Sequence, residues 1–171
     1  MVSLLKTIKP KRLNEQAMKD ALYNAIRRVR TKVLKDYEGT VATWEHKPKF
    51  IAETSLAIAG PRLEVYTTDE IYRYVDEGTK PHEIWAGAYT GKSDKKSLAF
   101  ASAFSPKTKP NNLKSGAGSK GTVDTFTPFV NHPGTAARNF SEMIAKKNAK
   151  LFRTEMEKGM KDAAKASGHG G

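Results

Sequence analysis

Met18, Leu22, Ile26, Val29, Val33 and Tyr37 recur at steps of four and three residues. That spacing sets the apolar side chains on one stripe of a helix, and the stripe must be covered by something else. Asn14 is placed to cap the start and Gly39 to mark the end, so a helix is predicted over 11–38. A second stripe closes the chain. Phe140, Ile144, Phe152, Met156, Met160 and Ala164 repeat at multiples of four, with Met143 and Leu151 beside them and Asn148 interrupting. Asn139 followed by Glu142 resembles a capping box with Asn in place of Ser or Thr, and this helix is predicted over 138–166.

Between the two helices the period changes to two. TVATWEH, KFIAETSLAI and PRLEVYTT read as strands, the last two separated by the turn signal Gly60-Pro61. EIYRYVDEG alternates Ile71, Arg73 and Val75 against Tyr72, Tyr74 and Asp76, which again predicts a strand, ended by Gly78. HEIWAGAYT, SLAFASAF and VDTFTPFV extend the pattern. Short connections between such strands predict an antiparallel sheet over 40–130, with mobile loops at 91–97 and 105–121. The second loop is built from Lys, Pro, Gly, Ser and Asn with one leucine, and is expected to bury nothing. Residues 1–10 read as a tail ending at Pro10, and 167–171 as a frayed tail. The expected fold is α+β: an antiparallel sheet flanked by long N-terminal and C-terminal helices, with a long basic Gly/Lys-rich loop, in one domain of 171 residues.

Charge narrows the partners. The chain carries a net +12, and a strongly basic domain meets nucleic acid, an anionic membrane surface or an acidic protein. The excess lies in two blocks. Residues 1–37 hold ten Lys and Arg against three Asp and Glu, and residues 92–120 hold seven lysines against Asp94. On the first helix Arg27, Arg28 and Arg30 fall largely off the apolar stripe and form either a solvated face or one that meets phosphates or an acidic subunit. In the second block Lys92, Lys95, Lys96, Lys107, Lys109, Lys114 and Lys120 lack interleaved aromatics. That argues against base stacking and permits nonspecific phosphate contact. With no cysteine there is no disulfide framework, thiolate metal site or cysteine nucleophile. The opening MVSLLKTIKPKRL is too short in its apolar part for a signal peptide, and no run reaches a membrane span, so a soluble, cytoplasmically made protein is expected.

The stretch YVDEGTKPHEIW sets Asp76, Glu77, His82 and Glu83 around a Gly-Thr pair, and VNHPGT follows about fifty residues on. Metal-ligand spacing is missing from both, as are a nucleophile elbow, a P-loop and a dinucleotide fingerprint, so no catalytic, metal or cofactor site is assigned. Asp76 and Glu77, adjacent on a predicted strand, would point to opposite faces. An enzyme would need Glu77, His82 and His132 to converge. The simpler reading makes both stretches joints. Gly78 closes a strand and Pro81 fixes the exit before His82. Pro133-Gly134 separates a strand from the closing helix, which Thr135 or Asn139 starts.

The order of these joints is informative. A leading helix, then Tyr72-x-Tyr74-Val75-x-Glu77-Gly78-Thr79-x-Pro81-His82, then a variable middle, then His132-Pro133-Gly134-Thr135 with Phe140 following, then a closing helix, resembles the tail-component family of long-tailed bacteriophages, often called tail-completion or neck proteins. The resemblance covers most of residues 10–165. It departs in the stretch 105–121, which is longer than the usual spacing, and at Asn139, where the family often has proline. It implies a non-enzymatic virion subunit, assembled in the host cytoplasm. Such a subunit forms or joins a ring, expected to be hexameric, at the head-proximal end of the tail. Implied partners are further copies, head-closure or connector, tail-terminator and tail-tube proteins, and genomic DNA in the channel, touched without base readout. The alternatives are a tail-terminator subunit, or a nonspecific DNA-binding protein acting outside the particle. Substitution of Glu77 or His82 is then expected to damage folding or ring assembly.

Overall fold

The computed structural model describes residues 12–57, 60–87 and 96–169. In chain order the elements are helix α1 (Glu15–Thr40), strands β1 (Ile51–Ala57) and β2 (Gly60–Tyr66), helix α2 (Glu70–Glu77), strands β3 (His82–Trp85), β4 (Leu98–Phe100), β5 (Thr125–Thr127) and β6 (Phe129–His132), and helix α3 (Phe140–Ala166). The class is α+β, with a long helix near each end of the chain. The predicted tail 1–10 and most of the loop 91–97, including Lys92 and Lys95, lie outside the described residues.

The strands do not form one sheet. Among the described residues they make three two-stranded ribbons, β1–β2, β3–β6 and β4–β5. β3 and β6 pair antiparallel with His82 opposite His132 and Trp85 opposite Phe129, and β4 and β5 pair antiparallel with Leu98 opposite Thr127. The expected meander fails because its predicted members at 40–46 and 70–78 are not strands. Residues 41–43 are a turn tied back to α1, with Val41 N–H on Glu38 O and Trp44 N–H on Val41 O. Residues 70–77 are α2. Eight residues with two buried positions, Tyr72 and Asp76, satisfy period two and period 3.6 equally. The helix is decided by its cap: Asp69 Oδ1 accepts the Tyr72 N–H at 2.8 Å, Glu70 sits in the first turn, and Gly78 follows the end. Asp76 and Glu77 are therefore not split across a strand. Asp76 faces inward and Glu77 is exposed.

The chain gathers into two compact units. One takes in the chain up to Lys32, Ala52–Glu64 and the chain from Asn148; the other takes in Val33–Ile51 and Val65–Lys147. In the first, Leu22, Ile26 and Val29 of α1 are buried, as the stripe predicts; Met18 is half-buried, and Ala25, outside the predicted stripe, is buried as well. The Asn14 cap is made too, Oδ1 accepting the Ala17 N–H at 3.1 Å. Here α1 and α3 run antiparallel. Asn14 N–H meets Ser167 Oγ at 2.8 Å, Gly159 lies against Ala21 and Ala25, and Arg28 Nε meets Glu155 Oε2 at 2.6 Å. The buried face of α3 here passes through Asn148, Gly159 and Ala163, not through Met160 and Ala164 as expected. A step of four overshoots a helical turn by about 40°, so a strict multiple-of-four series drifts off the core, and Met160 ends 46% exposed. The expected frayed tail is capped as far as His169. Gly168 adopts φ 77°, its N–H reaches Lys165 O, and the His169 N–H reaches Ala164 O, a Schellman ending.

The second unit is organised by aromatic rings. Tyr72 packs against Phe50 at 4.9 Å between centroids, Phe140 at 5.9 Å, Trp44 at 6.2 Å and Tyr37 at 6.3 Å. Such pairs add roughly 0.5–1.5 kcal/mol each beyond the area they bury. The segment 105–121, expected to bury nothing, has a pinned path. Ser105 and Ser119 form an antiparallel bridge, Asn111 N–H reaches Arg138 O at 3.3 Å, and Thr108 is buried beneath Arg138 Nε.

Candidate functional site: a glycine joint beside a basic clasp

The two stretches singled out from sequence meet in the second unit. Thr79 and Thr135 form a two-residue antiparallel bridge, with N–H to O distances of 3.0 and 3.2 Å, and Thr79 Oγ1 also accepts the Thr135 N–H at 2.9 Å. Gly78 (φ 79°) and Gly134 (φ 86°) flank the bridge, one on each chain. A Cβ on Gly78 would lie 2.5 Å from Thr135 O, and one on Gly134 would lie 2.2 Å from Thr79 O. Both glycines are required twice over, by a left-handed backbone and by main chain pressed against main chain.

His82 and His132 meet across the ribbon as a tilted pair, centroids 5.1 Å apart and planes at 38°. Their Nδ1 atoms serve the local backbone: His82 Nδ1–H donates to Lys80 O at 2.8 Å, and His132 Nδ1 accepts the Gly134 N–H at 3.1 Å. The histidines hold the exits of the two glycine turns. Pro81 and Pro133 are exposed beside them, and Glu77 is exposed at the end of α2. Among the described residues no group of three His, Asp or Glu side chains is arranged to hold a metal ion.

Asp76, whose role sequence reasoning missed, locks the joint to α3. Asp76 Oδ1 accepts the Ser141 N–H at 3.2 Å and Oδ2 accepts the Ser141 hydroxyl at 2.5 Å, while Asp76 O accepts the N–H groups of Arg138 and Asn139 at 3.0 Å. The capping box expected of Asn139 and Glu142 is not what serves the helix start. Asn139 sits at φ 58° with its side chain on Asn111, and Glu142 pairs with Lys146. The cap comes from another element, so no local pattern announces it. The cap of α2, by contrast, is signalled by Thr67-Thr68-Asp69-Glu70.

Asp69 carries a second partner, the His46 Nε2–H on its Oδ2. Burial works to raise the Asp69 pKa, but the His46 hydrogen bond, the Tyr72 amide and the His46 charge outweigh it and hold the carboxyl below the usual carboxylate range. A depressed folded pKa contributes stability above the unfolded value of about 3.9, and the contribution is lost as pH falls through the folded value. Asp69→Ala is expected to cost about 1 kcal/mol at neutral pH, and the deficit should shrink below about pH 4. Urea midpoints of parent and variant at neutral pH and in acid check this; a deficit undiminished in acid rejects the linkage.

The predicted basic contacts separate into groups. Arg27, Arg28 and Arg30 are exposed on α1, with Arg28 engaged by Glu155. Lys96 is exposed ahead of β4. Lys120 pairs with Glu45 at 2.6 Å on the wall of a cleft of about 880 Å³ that Trp44, Phe104, Lys107, Thr135 and Arg138 also line. Lys107, Lys109 and Lys114 line an adjoining cavity of about 380 Å³ within the 105–118 clasp, which shares Lys107 and Gly118 with that cleft. Among the described residues no helix is long and apolar enough to cross a membrane. No protein-family model, curated protein or solved structure matches the chain.

Proposed function

We propose that the chain is a structural subunit of a tailed bacteriophage particle, a neck or tail-completion protein that forms or joins a ring at the head-proximal end of the tail and works without catalysis. The observation that carries this reading is the convergence of Glu77-Gly78-Thr79 and His82 with His132-Pro133-Gly134-Thr135 into one joint. These are the motifs on which the resemblance rests, and their two glycines, Thr79, Thr135 and the two histidines are spent on backbone geometry.

The surface of the second unit supports assembly. Phe126 is 69% exposed, Phe104 64% and Trp85 52%, the last stacked on Phe129 at 5.0 Å. These rings lie on or beside two-stranded ribbons that, among the described residues, have unpaired edges. A ribbon edge accepts a neighbour's strand, and exposed aromatics are the residue type that anchors interfaces. The partners proposed are further copies of the chain, in a ring closed by rotation, and the connector, tail-terminator or tail-tube proteins beside it. Native mass spectrometry of the protein alone and with neighbouring virion proteins, with proteomics of purified particles, tests the reading. A protein that stays monomeric in every mixture and is missing from particles sinks it.

Phe126→Ser should leave stability within about 0.5 kcal/mol of the parent, since its ring faces solvent, while Trp85→Ser should also lose the stack on Phe129, about 0.5–1.5 kcal/mol. Each should weaken assembly at least tenfold, the loss expected of an interface anchor at about 1.4 kcal/mol or more. Melting curves and mass photometry check the two halves. Assembly unchanged in both variants removes the ribbons from the interface.

A further inference from the structure

We infer that the clasp at 105–118 is a phosphate-binding cup, and that it seats the phosphodiester backbone of nucleic acid. The cup is the cavity of about 380 Å³ lined by Lys107, Lys109, Lys114, Ser115 and the run Gly116–Gly118. A water occupies about 30 Å³ of liquid, so there is room for a phosphate and its flanking sugars.

Every ionisable residue on its wall is a lysine, and the sequence from 95 to 123 contains no Asp or Glu. The bonds that hold the clasp use backbone, hydroxyl and amide acceptors and no carboxylate. Ser105 pairs with Ser119, Gly116 N–H reaches Lys107 O at 2.5 Å, Lys107 Nζ reaches Thr43 O at 2.8 Å, and Lys114 N–H reaches Asn112 Oδ1 at 2.9 Å. Lys107 Nζ is held on Thr43 O, while Lys109 and Lys114 are exposed with no carboxylate on the wall, a setting that attracts an anion.

The wall is also shaped for close approach. Gly118 adopts φ 61°, and a Cβ there would lie 2.6 Å from Lys107 Cγ and 2.8 Å from Ser105 O. Only glycine lets the limbs of the clasp meet this way. The Gly116 N–H is spent on Lys107 O and Gly116 O accepts the Thr43 hydroxyl, so the run shapes the wall and the lysines supply the charge. No aromatic ring lines the cup, so it reads charge and not base identity.

The inference rests on the assembly reading only for the source of the phosphates. The test uses the full chain, a duplex of about 20 base pairs and inorganic phosphate. Lys109→Gln with Lys114→Gln should weaken duplex binding at least tenfold at low salt, and should flatten the salt dependence by about one to two counterions. A charge-matched control, Lys150→Gln with Lys158→Gln on α3, should stay within about threefold of the parent. In the parent, phosphate but not chloride should shift the amide resonances of Gly116, Ala117 and Gly118. Equal losses in the two double variants, or no shift in the clasp, overturn the cup. Phosphate shifts with duplex binding unchanged in the cup variant overturn nucleic acid as its occupant. Ring assembly intact without cup binding overturns this inference alone; cup binding intact without assembly overturns the assembly reading alone.

Discussion

Gly134→Ala is expected to cost at least about 3 kcal/mol, combining a strained left-handed backbone with a main-chain overlap that must be relieved by moving the backbone. The added Cβ would sit 2.2 Å from Thr79 O, 2.9 Å from the Lys80 carbonyl carbon and 3.1 Å from Pro81 N. None of these atoms is the free end of a side chain. Relief means opening the Thr79–Thr135 bridge, and with it the His82–His132 register. Gly78→Ala should behave alike, because its Cβ meets Thr135 O and Ala137 N. Gly39 is the internal control. It lies in the last turn of α1 with nothing within 4 Å of a Cβ, so Gly39→Ala should be neutral or stabilise by about 0.5–1 kcal/mol. Urea denaturation of the three variants decides the matter. A Gly134→Ala protein within about 0.5 kcal/mol of the parent would show that the joint does not hold the second unit together.

Phe140→Ala should cost about 3–5 kcal/mol, the range for emptying a buried aromatic site. Phe140 is fully buried at the first position of α3 and packs on Tyr72, which itself meets three other rings. Its neighbours are held in place. Tyr72 belongs to α2, capped by Asp69, and Ser141 is fixed by Asp76. The site therefore has little freedom to collapse around the cavity, which puts the cost toward the upper end. Phe126→Ala removes the same atoms from solvent and should cost under about 0.5 kcal/mol. Denaturant midpoints of the two variants test the contrast. Similar losses in both would mean that the aromatic cluster is not the core of its unit.

The same comparison bears on function. If Phe140 and the glycines hold the fold while Phe126 affects only association, different residues of the second unit carry architecture and contact. On the buried side, Asp76 bonds to Ser141, and Arg138 to Thr108 and the Ala136 carbonyl.

What the residues alone determine is strongest where one signal repeats. The stripe from Leu22 to Tyr37 spans more than four helical turns, so its period cannot be mistaken, and the buried face follows it. The glycine turns at 78 and 134 and the absence of cysteine were equally plain in the chain. Tertiary structure decided the rest, for identifiable reasons. Eight residues from Glu70 to Glu77 fit two periods, and a cap made by Asp69 chose the helix. The α3 stripe could be followed only until drift turned it, and close approach by Ala21 picked Gly159 over Met160. The cap from Asp76 to Ser141 spans 65 residues, beyond any local pattern. So does the meeting of Thr79 with Thr135, because a backbone bridge carries no side-chain signature to match. The lysines of the clasp were visible as charge. That three of them share one cavity depends on bonds from Ser105 to Ser119 and from Lys107 to Thr43, which exist only once the chain has folded.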